Sequence, residues 1–211
     1  MTDTSGPNGT DSDPIEVRDL RADEIPQAVA VIARGMRDNP LHVAAYGPDP
    51  DRRLRCHGRL VGGMFGVSPA MRHICAIRNG AVVGLTGVAP VDTCRLSTGQ
   101  KVRLLPALAA LGPSAVAKVL SWTGTWSKHD PNEPHVHLGP LAVDAALQGR
   151  GIGSRIMREH CRRLDAAGES GYLETDKAAN VAFYERFGYT VTAEAEVIGV
   201  PNWFMRRAAR T

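Results

Sequence analysis

The stretch "LAVDAALQGRGIGSRIMREH", Leu141 to His160, decides how this chain is read. An apolar run ends at Asp144, and glycines then stand at every second position, Gly149, Gly151 and Gly153. A helical pattern follows, from Gly151 to about Ala167. Its apolar stripe is Ile152, Ile156, Met157, Cys161 and Leu164, and Gly168 is placed to end it. Glycines crowded between a strand and a helix mean that backbone turns tightly or comes close to something.

Several readings of this turn compete. A dinucleotide fingerprint needs G-x-G-x-x-G followed by an acid about 20 residues on; Glu174 is suitably placed, but the third glycine spacing is wrong. A P-loop needs Gly-Lys-Ser/Thr, and no lysine is near. A bare tight turn explains one or two glycines, not three in alternation. A pyrophosphate cradle explains all three. Successive amides at a helix start form an anion-binding concavity, and a missing Cβ lets phosphates approach. Gln148 and Arg150 add side-chain donors to it.

Working outward, "HVHLGPLAVD" reads as a buried strand from His135 to Val143, with a bulge or a lost neighbour expected at Gly139-Pro140. "GYLETD" is a short strand, "KAANVAFYERFG" a short helix, and "YTVTAEAEVIG" and "NWFMRRA" are closing strands. Upstream, Ile15 to Asp19 is a short strand, and Ile25, Ala28, Val29, Ile32 and Ala33 share one helix face. A second helix is expected from about Pro50 to Phe65, weakened at its end by Gly62-Gly63. Asn79-Gly80 between two alternating runs marks a type I′ hairpin. Val102 to Leu120 is helix-like, broken at Gly112-Pro113, and "SWTGTWSKHDPNEP" reads as a loop or helix end in which Trp122 and Trp126 pack together. The sum is an α/β domain with one mixed sheet, spanning 15–211 behind a polar, disordered tail at 1–14.

Composition sets bounds. With 211 residues, 43% hydrophobic and 22% charged, the chain reads as one ordinary globular domain. A net charge of +3 is not the footprint of a nucleic-acid binder. No run of about 18 apolar residues and no signal sequence is seen, so neither a membrane span nor secretion is expected. Cys56, Cys75, Cys94 and Cys161 lie far apart, with no zinc-type pair spacing, and are read as reduced thiols in a cytoplasmic protein.

Gln148-x-x-Gly151-x-Gly153 after the strand "PLAVD" resembles the acyl-coenzyme-A signature of the GNAT superfamily of N-acetyltransferases. "YLETDKAANVAFYERFGYTV", Tyr172 to Val191, looks like the second conserved block of that superfamily, and "NWFMRR" like its closing strand. The region is most similar to the puromycin-acetyltransferase-like branch of actinobacteria. The resemblance is dense from about Glu133 to Arg207, thinner over 15–90, and absent over 95–132.

What the resemblance implies is a sheet splayed between two parallel strands, with the pantetheine arm of acetyl-CoA lying along Leu141, Ala142 and Val143. Amides of Gln148, Gly149, Arg150, Gly151, Ile152, Gly153 and Ser154 would take the pyrophosphate. Asn180 would bond the pantetheine, and Tyr184, four residues on and so on the same helix face, would sit by the sulfur as general acid. A proton must also leave the attacking amine. His137 is the first candidate base, His135 the second and Glu174 the third, with water alone as the remaining choice. Arg155, Arg158, Arg162 and Arg163 read as a solvated helix face. The expected reaction is acetyl transfer to a primary amine by direct attack in a ternary complex, with no metal. The expected acceptor is a small molecule, with a protein lysine or N-terminus as the alternative and a non-catalytic coenzyme-A-binding module as a third reading. Members of the superfamily are often dimers, so a homodimer is expected as well.

Overall fold

The computed structural model describes residues 14–210, so the tail expected at 1–14 lies, apart from Pro14, outside the described residues. Seven strands form one mixed sheet: β1 (Glu16–Asp19), β2 (Arg72–Arg78), β3 (Ala81–Ala89), β4 (Val136–Val143), β5 (Gly171–Thr175), β6 (Thr190–Val197) and β7 (Val200–Arg207). Their spatial order is β1-β2-β3-β4-β5-β7-β6. Every neighbouring pair is antiparallel except β4 and β5. Seven α-helices cover the sheet: α1 (Ile25–Gly35), α2 (Pro40–Tyr46), α3 (Pro50–Val67), α4 (Thr98–Ala109), α5 (Pro113–His129), α6 (Ile152–Ala167) and α7 (Ala178–Glu185). None is long and apolar enough to cross a membrane.

The two faces of the sheet follow from strand alternation. Ile74, Ala76 and Val83 turn to α6, where they meet Ile152 and Ile156. Cys75, Ile77, Val82 and Leu85 turn the other way, to Ala28, Val31 and Ile32 of α1 and Val61 of α3. The stripe expected on α6 is the one buried. Each such side chain contributes about 1.5–3 kcal/mol when fully buried, enough to fix which way the helix start points. Gly84 lets α6 lie close, since a Cβ there would stand 3.1 Å from Ile152 and 3.2 Å from Ile156.

The hairpin at Asn79-Gly80 is as expected, with φ of 52° and 75°. Trp122 and Trp126 pack edge to face at 5.1 Å. Three details differ from the sequence expectation. Helix α3 runs straight through Gly62-Gly63, because Gly63 faces α4 where a Cβ would meet Ala107 at 2.7 Å. Helix α2 was not expected; it is only seven residues long, too short to show a period. The "SWTGTW" stretch is not loop but the body of α5, whose Trp122 and Val119 pack against Val197 and Val200 beside the closing strands.

Several histidines lie in the core. His42 and His57 sit 3.2 Å apart, and His160 bonds the Tyr189 hydroxyl at 2.9 Å. Burial lowers His57 and His160 to about 4 and His42 well below its ordinary value. The unfolded chain takes up these protons near pH 6.5, whereas in the folded chain His57 and His160 resist until about pH 4 and His42 is lowered as well. Folding stability is therefore expected to fall as the pH drops from about 6.5 towards 4. Denaturant midpoints measured across that window check it; a flat profile would contradict the buried, neutral state of these rings.

Candidate active site

The site begins where β4 and β5 part. The strands are in register at Val136–Gly171 and His137–Tyr172, and no further pair forms. On its other edge β4 stays bonded to β3, but with an extra residue: Thr86 faces Leu141 and Val88 faces Leu138. That is the bulge expected at Gly139-Pro140. A close backbone approach accompanies it, since a Cβ on Gly87 would lie 2.5 Å from the Gly139 carbonyl oxygen.

Register then decides which backbone groups are open. The Asp144 amide donates to the Val83 carbonyl at 2.9 Å. Bonded pairs alternate along an antiparallel ladder, so Leu85 and Ala142 form the next bonded pair. The groups of Leu141 and Val143 point away from β3, into the gap left by β5. Of the three positions expected to line pantetheine, Leu141 and Val143 present backbone there, and Ala142 spends its own on β3.

The glycine turn closes the end of the gap. Gly149 and Gly151 have φ of 78° and 76°, and a Cβ on either would meet nothing within 4 Å. Glycine is needed at these two positions for the left-handed backbone, and the space before them is open. Gly151 is the N-cap of α6 and carries no side-chain cap, so the first amides of the helix are left for another acceptor. Ile152 is buried, while Gly153 and Ser154 lie in the first turn. Arg150 is exposed beside them. Arg162 and Arg163 are taken up by Glu159, and Arg163 also by Asp19, which agrees with a solvated helix face.

Gln148 does something the sequence did not show. Its Nε2 donates to the carbonyls of Gly35 at 3.0 Å and Val143 at 3.2 Å. The side chain therefore clamps the end of α1 to the end of β4, and only its backbone amide is left for an anion. Arg34 adds a bidentate pair with Asp144, at 2.6 and 3.0 Å, on the same seam.

On the α6 side of the sheet, Tyr184 packs among Leu138, Met157, Leu173 and Met205. Its hydroxyl makes no hydrogen bond among the described residues, and burial, with the nearby Asp176 carboxylate, raises its pKa and keeps the phenol protonated. Asn180 donates from Nδ2 to Thr175 Oγ1 at 3.0 Å, which fixes its amide at the end of β5. Asp176 went unnoticed in the sequence. It accepts from the Leu41 amide at 2.9 Å and so ties α2 to the end of β5; its only sequence signal is an acid just ahead of a helix.

On the opposite face stand the candidate bases. His137 Nε2 is 2.8 Å from Glu174 Oε2, and His135 Nδ1 is 2.9 Å from the Glu133 carbonyl. Burial pulls His137 down, but the Glu174 carboxylate and the Cys94 side chain outweigh it and raise its pKa. The structure thus brings all three candidates to one face, but with His137 and Glu174 bonded to each other and His135 held by the Glu133 carbonyl, rather than as a base open to an amine. Tyr184 and His137 lie on opposite faces of the sheet, on either side of the gap.

The fold that carries this cleft is similar to that of known proteins. Residues 115–191 match the model of the acetyltransferase (GNAT) domain. The chain has the GNAT fold. A Corynebacterium glutamicum protein described as histone acetyltransferase HPA2 and related acetyltransferase superposes with a TM-score of 0.71 at 18% identity, covering 93% of this chain and 97% of that one. Agmatine N-acetyltransferase, in a mutant apo form, gives 0.59 at 16% identity, covering 93% and 100%. A GNAT family acetyltransferase from Brucella melitensis, solved with acetyl-CoA, gives 0.54 at 19% identity, covering 95% and 91%. The GNAT domain match and fold together support an acyl-CoA-dependent acyltransferase.

The seam between α1 and β4 offers a direct check on the geometry of the cleft. A Cβ at Gly35 would run into the Val143 carbonyl. Gly35→Ala is expected to lower stability by about 1–3 kcal/mol, the usual cost of overpacking. Gly66→Ala, in a helix with open space around it, should not. Denaturant unfolding of the two variants compares them; equal midpoints would contradict the close contact.

Proposed function

We propose that the chain transfers an acetyl group from acetyl-CoA to the primary amine of a small molecule, by direct attack in a ternary complex, and that residues 15–211 form that catalytic domain. The observation that carries this is the open edge of β4. Leu141 turns its backbone amide and carbonyl, and Val143 its amide, into a gap that leads to the uncapped amides of α6, the Val143 carbonyl being taken by Gln148. An extended pantetheine arm fits as an added strand, its diphosphate ending on the amides from Gln148 to Ser154. That places the thioester at the parting of β4 and β5.

The two faces then divide the work. The coenzyme lies with Tyr184 and Asn180 on the α6 side, and the amine arrives from the side of α1, α2 and α5. Attack forms a C–N bond and a tetrahedral oxyanion. Its collapse breaks the C–S bond, and the departing thiolate takes the Tyr184 proton. The amine's own proton passes to water, since His137 and Glu174 are bonded to each other and His135 is buried with Nδ1 on the Glu133 carbonyl and Nε2 beside Asp130. No cysteine is among the residues packed around Tyr184 except Cys161, which is buried on α6 beneath it, so rate comes from positioning rather than from an acyl-enzyme. Agmatine N-acetyltransferase among the structural relatives supports a small amine as acceptor. The relative described as a histone acetyltransferase supports the second reading, a protein lysine or N-terminus. The likeness of Glu133 to Arg207 to the puromycin-acetyltransferase-like branch favours the first.

Thiol release from acetyl-CoA, measured against a panel of small amines and peptides, tests the reaction. Turnover with small amines is expected; calorimetric binding of coenzyme A without turnover on any amine would mark a binding module instead. Tyr184→Phe keeps the packed ring and removes only the hydroxyl. It is expected to lower kcat about 10²-fold or more, the range for a lost general acid, with little change in acetyl-CoA affinity. Unchanged kcat would remove Tyr184 from the mechanism.

A further inference from the structure

Four side chains from separate places in the chain converge on the face of β4 opposite Tyr184. Cys94 comes from the loop after β3, Asp130 caps the end of α5, and His135 and His137 lie one residue before and on β4. One donor atom from each, the Cys94 Sγ, an Asp130 oxygen and a ring nitrogen of each histidine, lies within 4.8 Å of all the others.

Hydrogen bonding leaves part of this cluster unexplained. The Glu133 carbonyl can only accept, so His135 Nδ1 must donate to it at 2.9 Å. In the neutral ring Nε2 is then a bare lone pair. It stands 3.2 Å from Asp130 Oδ1, another acceptor, and neither atom has a hydrogen-bond partner. Both side chains are more than nine-tenths buried. Two acceptors that face each other in a buried space need a cation between them. A proton would serve this pair alone. Around that pair the other donors gather as well: the Cys94 thiol reaches the second Asp130 oxygen, Oδ2, at 3.7 Å, and a nitrogen of His137 lies within the same 4.8 Å cluster.

We propose that Cys94, Asp130, His135 and His137 bind a divalent transition-metal ion of the zinc class. The donor set is two imidazoles, a thiol and a carboxylate, which suits tetrahedral zinc. With metal–oxygen and metal–nitrogen bonds of about 2.0–2.1 Å and metal–sulfur of about 2.3 Å, tetrahedral ligand edges come to about 3.3–3.5 Å. His135 Nε2 stands 3.2 Å from Asp130 Oδ1 and Cys94 Sγ 3.7 Å from Oδ2, and the four donor atoms, all within 4.8 Å of one another, would draw in to that range on binding. Loading would release the Cys94 thiol proton and the Nδ1 proton of His137 to solvent, Nε2–H staying on Glu174; the thiolate and carboxylate would then balance the two positive charges of the metal. The outer partners are already in place: the Glu133 carbonyl orients His135, and Glu174, 2.8 Å from His137 Nε2, orients that ring. Arg95, which bonds Asp130 at 3.2 Å, is mostly exposed and free to swing aside.

Four protein ligands leave no open position, so the role is structural. The metal would clip the loop after β3 and the end of α5 to β4, closing the segment that carries α4 and α5. It would also hold His137 away from proton transfer. This inference stands apart from the acetyl-transfer reading, since none of its readouts is activity.

The test is metal analysis of the full chain purified without chelator or affinity metal, followed by zinc and cobalt(II) titration. About one zinc per chain is expected, with a thiolate-to-cobalt charge-transfer band and a thermal midpoint that falls on chelation and recovers on adding zinc. Cys94→Ser should abolish the band, and Glu174→Gln should weaken zinc binding about 10–100-fold. Should Cys94→Ser fail to fold, the cobalt spectrum of the unaltered protein decides alone. Substoichiometric metal after titration, or cobalt bound without the thiolate band, overturns the proposal.

Discussion

The separation of β4 from β5 is the constraint on which the rest of the site depends. Two parallel strands that begin in register would ordinarily remain so, because an unpaired backbone edge inside a protein costs more than any one hydrogen bond returns. Here they share only the positions of Val136–Gly171 and His137–Tyr172 before diverging. The bulge at Gly139-Pro140 redirects β4 while β3 still holds its other edge. Leu141 and the Val143 amide are left facing the gap, and an extended amide-bearing ligand is the chemistry that satisfies them.

Everything around the gap fixes its two ends. At the far end, Gln148 and Arg34 sew the glycine turn to α1, so the turn is held from both sides of the sheet. The apolar stripe of α6 sets the direction of that helix, and with it the field of its first amides. At the near end, Asp176 joins α2 to β5, and Thr175 holds Asn180. The sheet then acts as a partition. The phenol of Tyr184 is kept protonated on one side, and the histidine cluster is locked on the other.

Much of this could be read in the sequence, and what could not has a physical reason. The alternating glycines, the α6 stripe, the Asn-Gly hairpin and the proline in β4 are local signals, each decided by a handful of neighbouring residues, and each stands where expected. Tyr184 and Asn180 share a face because four residues make one helical turn. Gln148 misled, because its real partner, the Gly35 carbonyl, is 113 residues away. The cluster at Cys94 was invisible for the same reason: spacing rules look for partners close together in the chain, whereas Cys94 meets Asp130, 36 residues later. His135-x-His137 was the one local trace, and alternation alone made it look like a choice between two bases. Helix α4 begins on a capping box, Ser97 with Gln100, which fixes its start but not its place; α4 and α5 are positioned by packing, such as Gly63 against Ala107 and Trp126 bonded to Asn202.

The most direct measurement is a crystal structure of the protein grown with coenzyme A. The account places the pantetheine arm between β4 and β5, hydrogen-bonded to the backbone of Leu141 and Val143, with the diphosphate on the amides of 148–154 and the sulfur on the side of Tyr184. Coenzyme A seated elsewhere, with the β4 edge bare or closed by β5, would contradict it.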